Sequence, residues 1–270
     1  MNSDPTDDQV EQPRPQRPRH GLFIVGSNTE VGKTRVACAV ARAMVAAGLR
    51  VGVYKPAASG AVRRDGTLVS TDAEELWNAA GRPLRLDAVC PQVFEAPLAP
   101  HLAARAEGKQ LDARLLRTGA DAWRSEAWDV LVVEGAGGLL SPISDDDYVA
   151  DLALDFDYPL LIVVPNALGV IGQTLQTLVA ATAYRRQLPM ALRRPTSRHD
   201  LDFGQGLTTA GIVLNQPQPP DPSDCSLLTN GRELATRCAV PILGELAYGQ
   251  TDFEPPVDWR TLLGLPPRTE

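Results

Sequence analysis

A lysine and a threonine in the first part of the chain, Lys33 and Thr34, have the types and the spacing that bind phosphate groups. They close the sequence GSNTEVGKT, which starts at Gly26 directly after the apolar residues 22–25. A glycine loop between a strand and a helix points successive backbone N–H groups into one concavity, which an anion fills. In such a P-loop, Lys33 would reach the β- and γ-phosphates of a nucleotide, and the Thr34 hydroxyl would bind a magnesium ion. The glycines Gly26 and Gly32 lie one residue further apart than in the generic motif, so a plain strand-to-helix turn is the alternative.

Three further charged residues, Lys55, Asp72 and Glu134, stand where a parallel sheet collects its polar groups. Lys55 and Glu134 each end an apolar run, residues 51–54 and 130–133, and Asp72 begins a predicted helix. Because parallel strands present their carboxyl ends at one edge of the sheet, we expect these side chains beside the phosphate loop. Acids at such strand ends hold magnesium in P-loop proteins, and a lysine there can face a phosphate. Each residue also has a plainer alternative, as a solvated strand end or an ordinary charge at a helix start.

Short apolar runs alternate with segments of helical periodicity along the chain. This alternation predicts an α/β fold with a single doubly wound, mostly parallel sheet of the P-loop NTPase type. The predicted strands are residues 22–25, 50–54, 128–133, 160–164, 210–214 and 241–244. The predicted helices are residues 36–47, 72 onward, 111–127, 151–156, 171–186 and 231–238, and the predicted loops include residues 60–66 and 91–100.

The composition indicates a protein with a sizeable core and no affinity for polyanions. The 270 residues are 44% hydrophobic and carry a net charge of −7, with a pI near 5.1. A chain this acidic is not expected to bind nucleic acid or an anionic membrane. No apolar run approaches the roughly 18 residues that span a bilayer. The scattered Cys38, Cys90, Cys225 and Cys238 are predicted to be buried, reduced thiols.

The chain is predicted to have three parts. Residues 1–20 form a disordered N-terminal tail, because they mix acids, prolines and arginines and lack the apolar segment of a signal peptide. Residues 21–249 form the P-loop α/β domain, with an exposed insertion at about residues 187–206 that is too polar for a core. Residues 250–270 form a C-terminal extension. Without a signal peptide, the protein is predicted to be cytoplasmic.

The order and spacing of several motifs resemble those of the dethiobiotin synthetase family. The match includes GSNTEVGKT (26–34), YKPAASG (54–60), PLAPH (97–101), VEGAGG (133–138) and LGVIGQTL (168–175). It holds over about residues 21–184 and again over residues 210–248. The wide spacing between the two glycines of the phosphate loop is the family's own.

The resemblance implies an ATP-dependent ligase that closes a cyclic urea, with Mg²⁺ as cofactor and ATP as co-substrate. In that reaction carbon dioxide and one amine of 7,8-diaminononanoate form a carbamate, which ATP phosphorylates to a mixed anhydride. The second amine then closes the ring to give dethiobiotin, ADP and phosphate. The resemblance also implies a homodimer whose partners are otherwise small-molecule substrates.

The resemblance further assigns roles to individual residues of this sequence. Lys33 and Lys55 are implied as catalytic residues that neutralise charge on the moving phosphoryl group and the carbamate. The implied ATP-binding residues are Glu30, Val31, Gly32, Lys33, Thr34, Asp72, Glu134, Gly135, Ala136, Gly137, Asn215, Ala247, Tyr248 and Gly249. Among them Asn215 would read the adenine, and the implied magnesium ligands are Thr34, Asp72 and Glu134. The implied diamine-binding residues are Thr29, Ser59, Gly172 and Gln173.

The chain departs from the family pattern near the far end of the implied diamine site. Ala167 stands where some members have a lysine, and Gly172 and Gln173 replace the usual Asn-His pair. The insertion at about residues 187–206 has no counterpart in the compact family pattern. These differences concern the substrate site and leave the ATP-binding motifs intact.

Two other classes of protein stay open at this point. A related amidotransferase-type ligase acting on a larger acid would need a glutaminase domain with a Cys and His pair, which the sequence does not display. A partitioning-type ATPase switch would need a second lysine early in the phosphate loop, where Ser27 and Asn28 stand. It would also need an amphipathic terminal helix, where residues 255–270 are instead rich in proline.

Overall fold

The computed structural model describes residues 17–184 and 206–266. Within these ranges the strands are β1 (His20–Gly26), β2 (Val51–Tyr54), β3 (Val62–Arg64), β4 (Thr67–Val69), β5 (Val130–Gly138), β6 (Leu160–Pro165), β7 (Thr209–Asn215) and β8 (Ile242–Leu246). The helices are α1 (Lys33–Ala46), α2 (Thr71–Ala79), α3 (Leu86–Val89), α4 (Pro100–Ala106), α5 (Leu115–Thr118), α6 (Val149–Phe156), α7 (Val170–Ala183), α8 (Asn230–Arg237) and α9 (Trp259–Leu262). Single 3₁₀ turns lie at Gly119–Ala122 and Cys225–Leu228.

The central sheet of the described chain has six strands in the order β2-β5-β1-β6-β7-β8, and every neighbouring pair is parallel. The chain leaves β1 toward β2 on one side, and later passes from β6 through β7 to β8 on the other. Because parallel crossovers are right-handed, connections that run in opposite directions place their helices on opposite faces. The prediction of a single doubly wound α/β sheet is confirmed. The phosphate loop after β1 therefore has β5 and β2 on one side and β6, β7 and β8 on the other.

Apolar side chains cover both faces of this sheet. Residues 22–25 of β1 and residues 130–133 of β5 are fully buried, as expected for central parallel strands with helices on both sides. Helix α1 packs onto the sheet through Val36, Val40 and Met44, which recur every fourth residue and are fully buried. This packing fixes the start of α1, and with it the phosphate loop, at the carboxyl edge of the sheet.

The prediction of a long helix over residues 111–127 is wrong. Only α5 and the 3₁₀ turn at Gly119–Ala122 are helical there. The segment is held against β2, where the Tyr54 hydroxyl donates to the Leu115 carbonyl at 3.0 Å. A Cβ on Gly119 would lie 2.4 Å from that hydroxyl, so the backbone itself packs on β2. Close packing of this backbone against β2 therefore prevents the regular helix that the spacing of the apolar residues predicts.

The loop predicted over residues 60–66 is also wrong in part. The exposed strands β3 and β4 pair antiparallel, with Asp65 and Gly66 at the turn. Both residues have positive φ, 50° and 79°. An Asp-Gly pair with positive φ at both positions is a preferred two-residue hairpin turn. The segment therefore contains a hairpin signal, although its charged residues and glycines also suit a loop.

The cysteines differ in exposure. Cys38 and Cys90 are buried thiols as predicted, and burial raises the pKa of each to about 12. Cys238 is partly buried, and Cys225 is exposed, which corrects the prediction for that residue. Cys225 lies in a 3₁₀ turn in which no residue is buried, so its thiol does not pack into a core.

The ends of the predicted domain continue into packed structure. Residues 1–16 of the predicted tail lie outside the described residues, and residues 187–205 of the predicted insertion do too. Within the described part, Tyr158 donates to the Pro18 carbonyl at 2.7 Å, and Phe253 packs on Trp259 with ring centroids 5.4 Å apart. The division into three parts stays a prediction. No helix of the described residues is long and apolar enough to cross a bilayer.

Candidate nucleotide-binding site

The phosphate loop runs from the end of β1 at Gly26 to the start of α1 at Lys33. Gly32 caps the helix in the left-handed conformation, with a φ of 80°, which glycine adopts without strain. Space also requires glycine there, since a Cβ would lie 2.1 Å from the Asn215 side-chain nitrogen. Glu30 has a positive φ as well, 61°. These turns bring the loop backbone to the N-terminus of α1, where unpaired N–H groups bind anions.

A buried lysine joins two carboxylates beside this loop. Lys55 Nζ lies 2.7 Å from Asp72 Oδ2 and 2.8 Å from Glu134 Oε1. The Thr34 hydroxyl donates to the same Glu134 oxygen at 2.7 Å. Lys55 and Glu134 are only 5% and 1% exposed. The adjacent strands β2 and β5 bring these two residues together, and α1 and α2 supply Thr34 and Asp72.

The charges of this cluster stabilise one another. Burial alone would lower the pKa of Lys55, but the nearby carboxylates of Glu134 and Asp72 raise it above its ordinary value. Burial likewise opposes ionisation of Asp72, and Lys55 nevertheless lowers the pKa of that carboxyl. Lys55 is therefore a cation and Asp72 an anion at neutral pH. Burial lowers the pKa of Lys33; the Glu134 carboxylate opposes this decrease and the Lys55 charge adds to it.

The oxygen atoms of the cluster fit a magnesium ion that is shared with a nucleotide. Glu134 Oε2 is buried and has no hydrogen-bond partner within the described chain. A buried carboxylate oxygen without a partner is costly unless a ligand or ion pairs with it. No group of three or more His, Cys, Asp or Glu side chains among the described residues could hold a metal alone. Magnesium commonly takes one or two carboxylates and completes its shell with water and substrate phosphates, which is the donor set available here.

The cluster opens into a cleft of about 750 Å³. The predicted site residues that line it are Thr29, Glu30, Gly32, Lys33, Thr34, Lys55, Ser59, Asp72, Glu134, Gly135, Ala136 and Gly137. Those that do not are Val31, Gly172, Gln173, Asn215, Ala247, Tyr248 and Gly249. Val31 lies within the loop and is buried, and its carbonyl accepts from the Asn215 side chain.

Strand β5 does not end at Glu134, which corrects the prediction from sequence. It continues to Gly138, with an irregular register against β1 between Ile24 and Gly26. Gly137 has a φ of 82°, and a Cβ on it would lie 2.5 Å from the Ser141 hydroxyl oxygen. The glycines thus carry bare backbone along the floor of the cleft, where a ligand can approach it closely.

Asn215, at the end of β7, is fully buried and has both ends of its carboxamide occupied. Its nitrogen donates to the Val31 carbonyl at 2.8 Å, and its oxygen accepts from Arg35 at 2.7 Å. In this arrangement the side chain supports the phosphate loop. Its predicted contact with adenine stays a prediction, and each end of the carboxamide can make a second hydrogen bond.

Arg35 was missed in the sequence analysis. It follows Thr34 in the first turn of α1 and reaches the backbone after β7 and β8. One signal could have found it. A cation in the first turn of a helix opposes the helix dipole, so an arginine there indicates that strong acceptors lie nearby.

Gly172 and Gln173 lie in the first turns of α7, whose cap Gly169 has a φ of 94°. The Ser27 hydroxyl donates to the Gln173 side-chain oxygen at 3.5 Å, which ties α7 to the phosphate loop. The preceding loop is fixed by Asn230, which donates to the Ala167 carbonyl at 3.2 Å. The structure therefore orders the start of α7 but does not place it in the cleft of its own chain.

An all-parallel doubly wound sheet and a Gly-Lys-Thr loop that opens a helix after the central strand define a P-loop nucleotide-binding protein. Lys55 and Glu134, which lie beside the loop, are of the residue types that act on a terminal phosphate in such proteins.

Comparison with known proteins narrows this class. A family model described as "AAA domain" matches residues 20–251. The ATP-dependent dethiobiotin synthetase BioD of Rhodopirellula baltica is 39% identical over 234 residues, which cover 83% of this chain and 82% of that protein. The protein of the same name from Anaeromyxobacter dehalogenans is 41% identical over 215 residues, which cover 80% and 84%. The solved chloroplast FtsY of Physcomitrella patens is 15% identical, with a TM-score of 0.46, over 92% of this chain and 65% of that one.

The chain belongs to the AAA-domain family and, within it, to the ATP-dependent dethiobiotin synthetases. This membership sets aside the amidotransferase-type ligase and the ATPase switch.

The buried ion pair of Lys55 and Glu134 predicts that removal of its cation destabilises the protein. Lys55→Met should lower the free energy of unfolding by about 3–5 kcal/mol, because it leaves the buried Glu134 carboxylate without its cation. The double variant Lys55→Met/Glu134→Gln should recover most of that loss. Urea unfolding at pH 7 measures both, with Arg50→Met as the control, since Arg50 pairs with Asp129 at the surface. A Lys55→Met loss no larger than that of Arg50→Met would contradict the prediction.

Proposed function

We propose that this enzyme converts 7,8-diaminononanoate, carbon dioxide and ATP into dethiobiotin, ADP and phosphate. The observation that carries the proposal is the Lys55 ammonium group, which lies between Glu134 and Asp72 in the cleft beside the phosphate loop. Ring closure through a carbamate and a mixed anhydride brings anionic oxygens together at the moving phosphoryl group. Fixed cations and correct positioning are what such a reaction needs from a protein.

The ATP phosphates would lie in the phosphate loop. Backbone N–H groups over residues 30–34 and the N-terminus of α1 would hold them, which explains why Glu30 and Gly32 have left-handed backbones. The Thr34 hydroxyl and the carboxylates of Asp72 and Glu134 would bind Mg²⁺. When bound, this ion would supply charge neutralisation to the phosphate groups. The backbone of Gly135, Ala136 and Gly137 would form the floor beneath the γ-phosphate.

Lys33 and Lys55 would be the catalytic residues. Lys33 begins α1 and lines the cleft next to the phosphate loop, and Lys55 approaches from β2. Both are buried, so their charges act in a medium less polarisable than water and stabilise developing negative charge more strongly. Lys33 would neutralise the β- and γ-phosphates, and Lys55 would face the carbamate oxygen that attacks phosphorus.

The diamine would occupy the remainder of the cleft. Thr29 and Ser59 line it and offer hydroxyl groups that can accept hydrogen bonds from amines. At the other end of the nucleotide, the base would lie near Asn215, Ala247, Tyr248 and Gly249. These residues follow β7 and β8, on the side of the phosphate loop away from Lys55.

The protein would act as a cytoplasmic homodimer, with no nucleic-acid or membrane partner. Gly172 and Gln173 lie outside the cleft of their own chain, and we propose that they complete the diamine site of the second subunit. Leu168 and Val179, before and within α7, are 83% and 67% exposed. Apolar side chains exposed to this degree on one helix and its leading loop support an interface there.

The proposed activity can be tested with purified protein. ADP should be released only when 7,8-diaminononanoate and bicarbonate are both present, and mass spectrometry should detect dethiobiotin in equal amount. Omission of either substrate should abolish ADP release, because the phosphoryl acceptor is their carbamate. ATP turnover without the diamine, and without dethiobiotin, would refute the proposal.

Binding of ATP should depend on Lys33. Lys33→Ala should weaken Mg-ATP binding by roughly 1.5–3 kcal/mol, or about 10–150-fold, because it removes a charge-assisted contact to phosphate. Calorimetric titration measures this affinity. Lys109→Ala removes an exposed lysine that pairs with Glu107 away from the cleft, and it should leave the dissociation constant unchanged. Equal affinities for Lys33→Ala and the wild type would exclude the role.

The proposed dimer predicts how single charges affect assembly. Light scattering should give twice the 29.0 kDa mass of the chain. Val179→Asp should shift the protein toward monomer, since it would bury an unpaired charge in the interface. Val62→Asp, on the exposed β3, is the matched control and should stay dimeric. A fully active wild-type monomer would exclude the dimer, and a dimeric Val179→Asp would exclude this interface.

A further inference from the structure

Arg35 connects the first turn of α1 to the two strand ends farthest from the lysines. Its guanidinium donates, within the described chain, to Asn215 Oδ1 at 2.7 Å and to the carbonyls of Gln216 at 3.1 Å and Leu246 at 3.2 Å. It also donates to the Gln250 carbonyl at 2.7 Å and to the Ala247 carbonyl. These acceptors belong to the end of β7 and to the segment that follows β8.

The position of these segments indicates which part of a nucleotide they would meet. The strand order places β5 and β2 on one side of the phosphate loop and β7 and β8 on the other. Lys55 and Glu134 are on the first side. A nucleotide whose terminal phosphate points to Lys55 must therefore extend its nucleoside toward the ends of β7 and β8, where Arg35 and Pro217 line the cleft.

Arg35 contacts the backbone that follows β8 through two of its carbonyls. The segment from Ala247 to Gln250 is exposed, and Gly249 has a φ of 75°. Such a loop has little apolar burial to hold it, so the Arg35 contacts, together with the hydrogen bond from the Gln250 N–H to the Ala247 carbonyl at 3.0 Å, contribute to its order. The same guanidinium fixes the Asn215 carboxamide, with its oxygen toward Arg35 and its nitrogen toward the Val31 carbonyl.

We propose that Arg35 is a positioning residue for the nucleoside end of ATP, which fixes the ends of β7 and β8 into one base pocket and so sets base selectivity. The inference rests on the proposed ATP-dependent function. Within the described chain, Arg35 directs its hydrogen bonds to carbonyl and carboxamide oxygens, so the proposal gives it no contact with phosphate. It therefore acts on ground-state binding of the nucleotide and not on the phosphoryl transfer itself.

The test compares ligands with and without a nucleoside. Arg35→Ala should raise the dissociation constant of Mg-ATP about tenfold, which corresponds to about 1.4 kcal/mol. Binding of magnesium tripolyphosphate, which has no nucleoside, should stay within about threefold of wild type, a change near 0.6 kcal/mol. In turnover assays KM for ATP should rise with kcat nearly unchanged, as expected for lost uniform binding. The preference for ATP over GTP should also fall.

Two further variants separate geometry from charge. Arg35→Lys keeps the charge, but one nitrogen cannot reach acceptors that a planar guanidinium spans, so it should rescue ATP affinity only in part. Arg42→Ala removes an exposed arginine two turns further along α1 and should match the wild type. Circular dichroism and thermal unfolding establish that each variant is folded, and Arg35→Gln replaces Arg35→Ala if the latter is not.

The outcomes are distinct. Equal weakening of ATP and tripolyphosphate would overturn the inference, because Arg35 would then act on the phosphate loop through Asn215. Unchanged ATP affinity, unchanged selectivity or full rescue by Arg35→Lys would overturn it as well. A wild-type protein that binds no ATP would instead refute the proposed function on which the inference rests.

Discussion

The Lys55 ammonium lies between Glu134 and Asp72 and balances the negative charges that β5 and α2 bring beside the end of β2. Glu134 is almost completely buried within β5, directly after the apolar residues 130–133, where an unpaired carboxylate would cost several kcal/mol. The lysine offsets this cost and is itself held protonated by the two acids. Among the residues that the structure describes, this pairing leaves Glu134 Oε2 without a hydrogen-bond partner, so one buried oxygen of the cluster is available to a ligand.

The phosphate loop divides the carboxyl edge of the sheet into two regions, one with buried charged side chains and one with neutral hydrogen-bond acceptors. On the side of β2 and β5, buried charges face a cleft and suit the transfer of a phosphoryl group. On the side of β7 and β8, Arg35 and Asn215 organise neutral backbone carbonyls. Gly32 joins the two regions, because its missing side chain leaves the space that Asn215 fills. A change at this glycine would therefore disturb both regions together.

Three differences between the predictions from sequence and the structure share one cause, which is tertiary contact that a local pattern does not record. Helical periodicity was present over residues 111–127, but Tyr54 and Gly119 hold the backbone against β2 and shorten the helix. The apolar run before Glu134 predicts that the strand ends there, whereas pairing with β1 extends the strand to Gly138. Arg35 stands out in the sequence only as a cation in the first turn of a helix, and its partners could not be identified because they lie about 180 to 215 residues away.

The sequence by itself determined the fold class, the phosphate loop and the family. Apolar periodicity and glycine placement are local features, and the order of the motifs can be seen directly in the sequence. It also supplied the charged residues Lys33, Lys55, Asp72 and Glu134. Only the tertiary structure decided the strand order, the pairing of Lys55 with both acids and the engagement of Asn215 by Arg35. These depend on distances between residues far apart in the chain, which are fixed when the strands pack side by side and bring their ends to one edge.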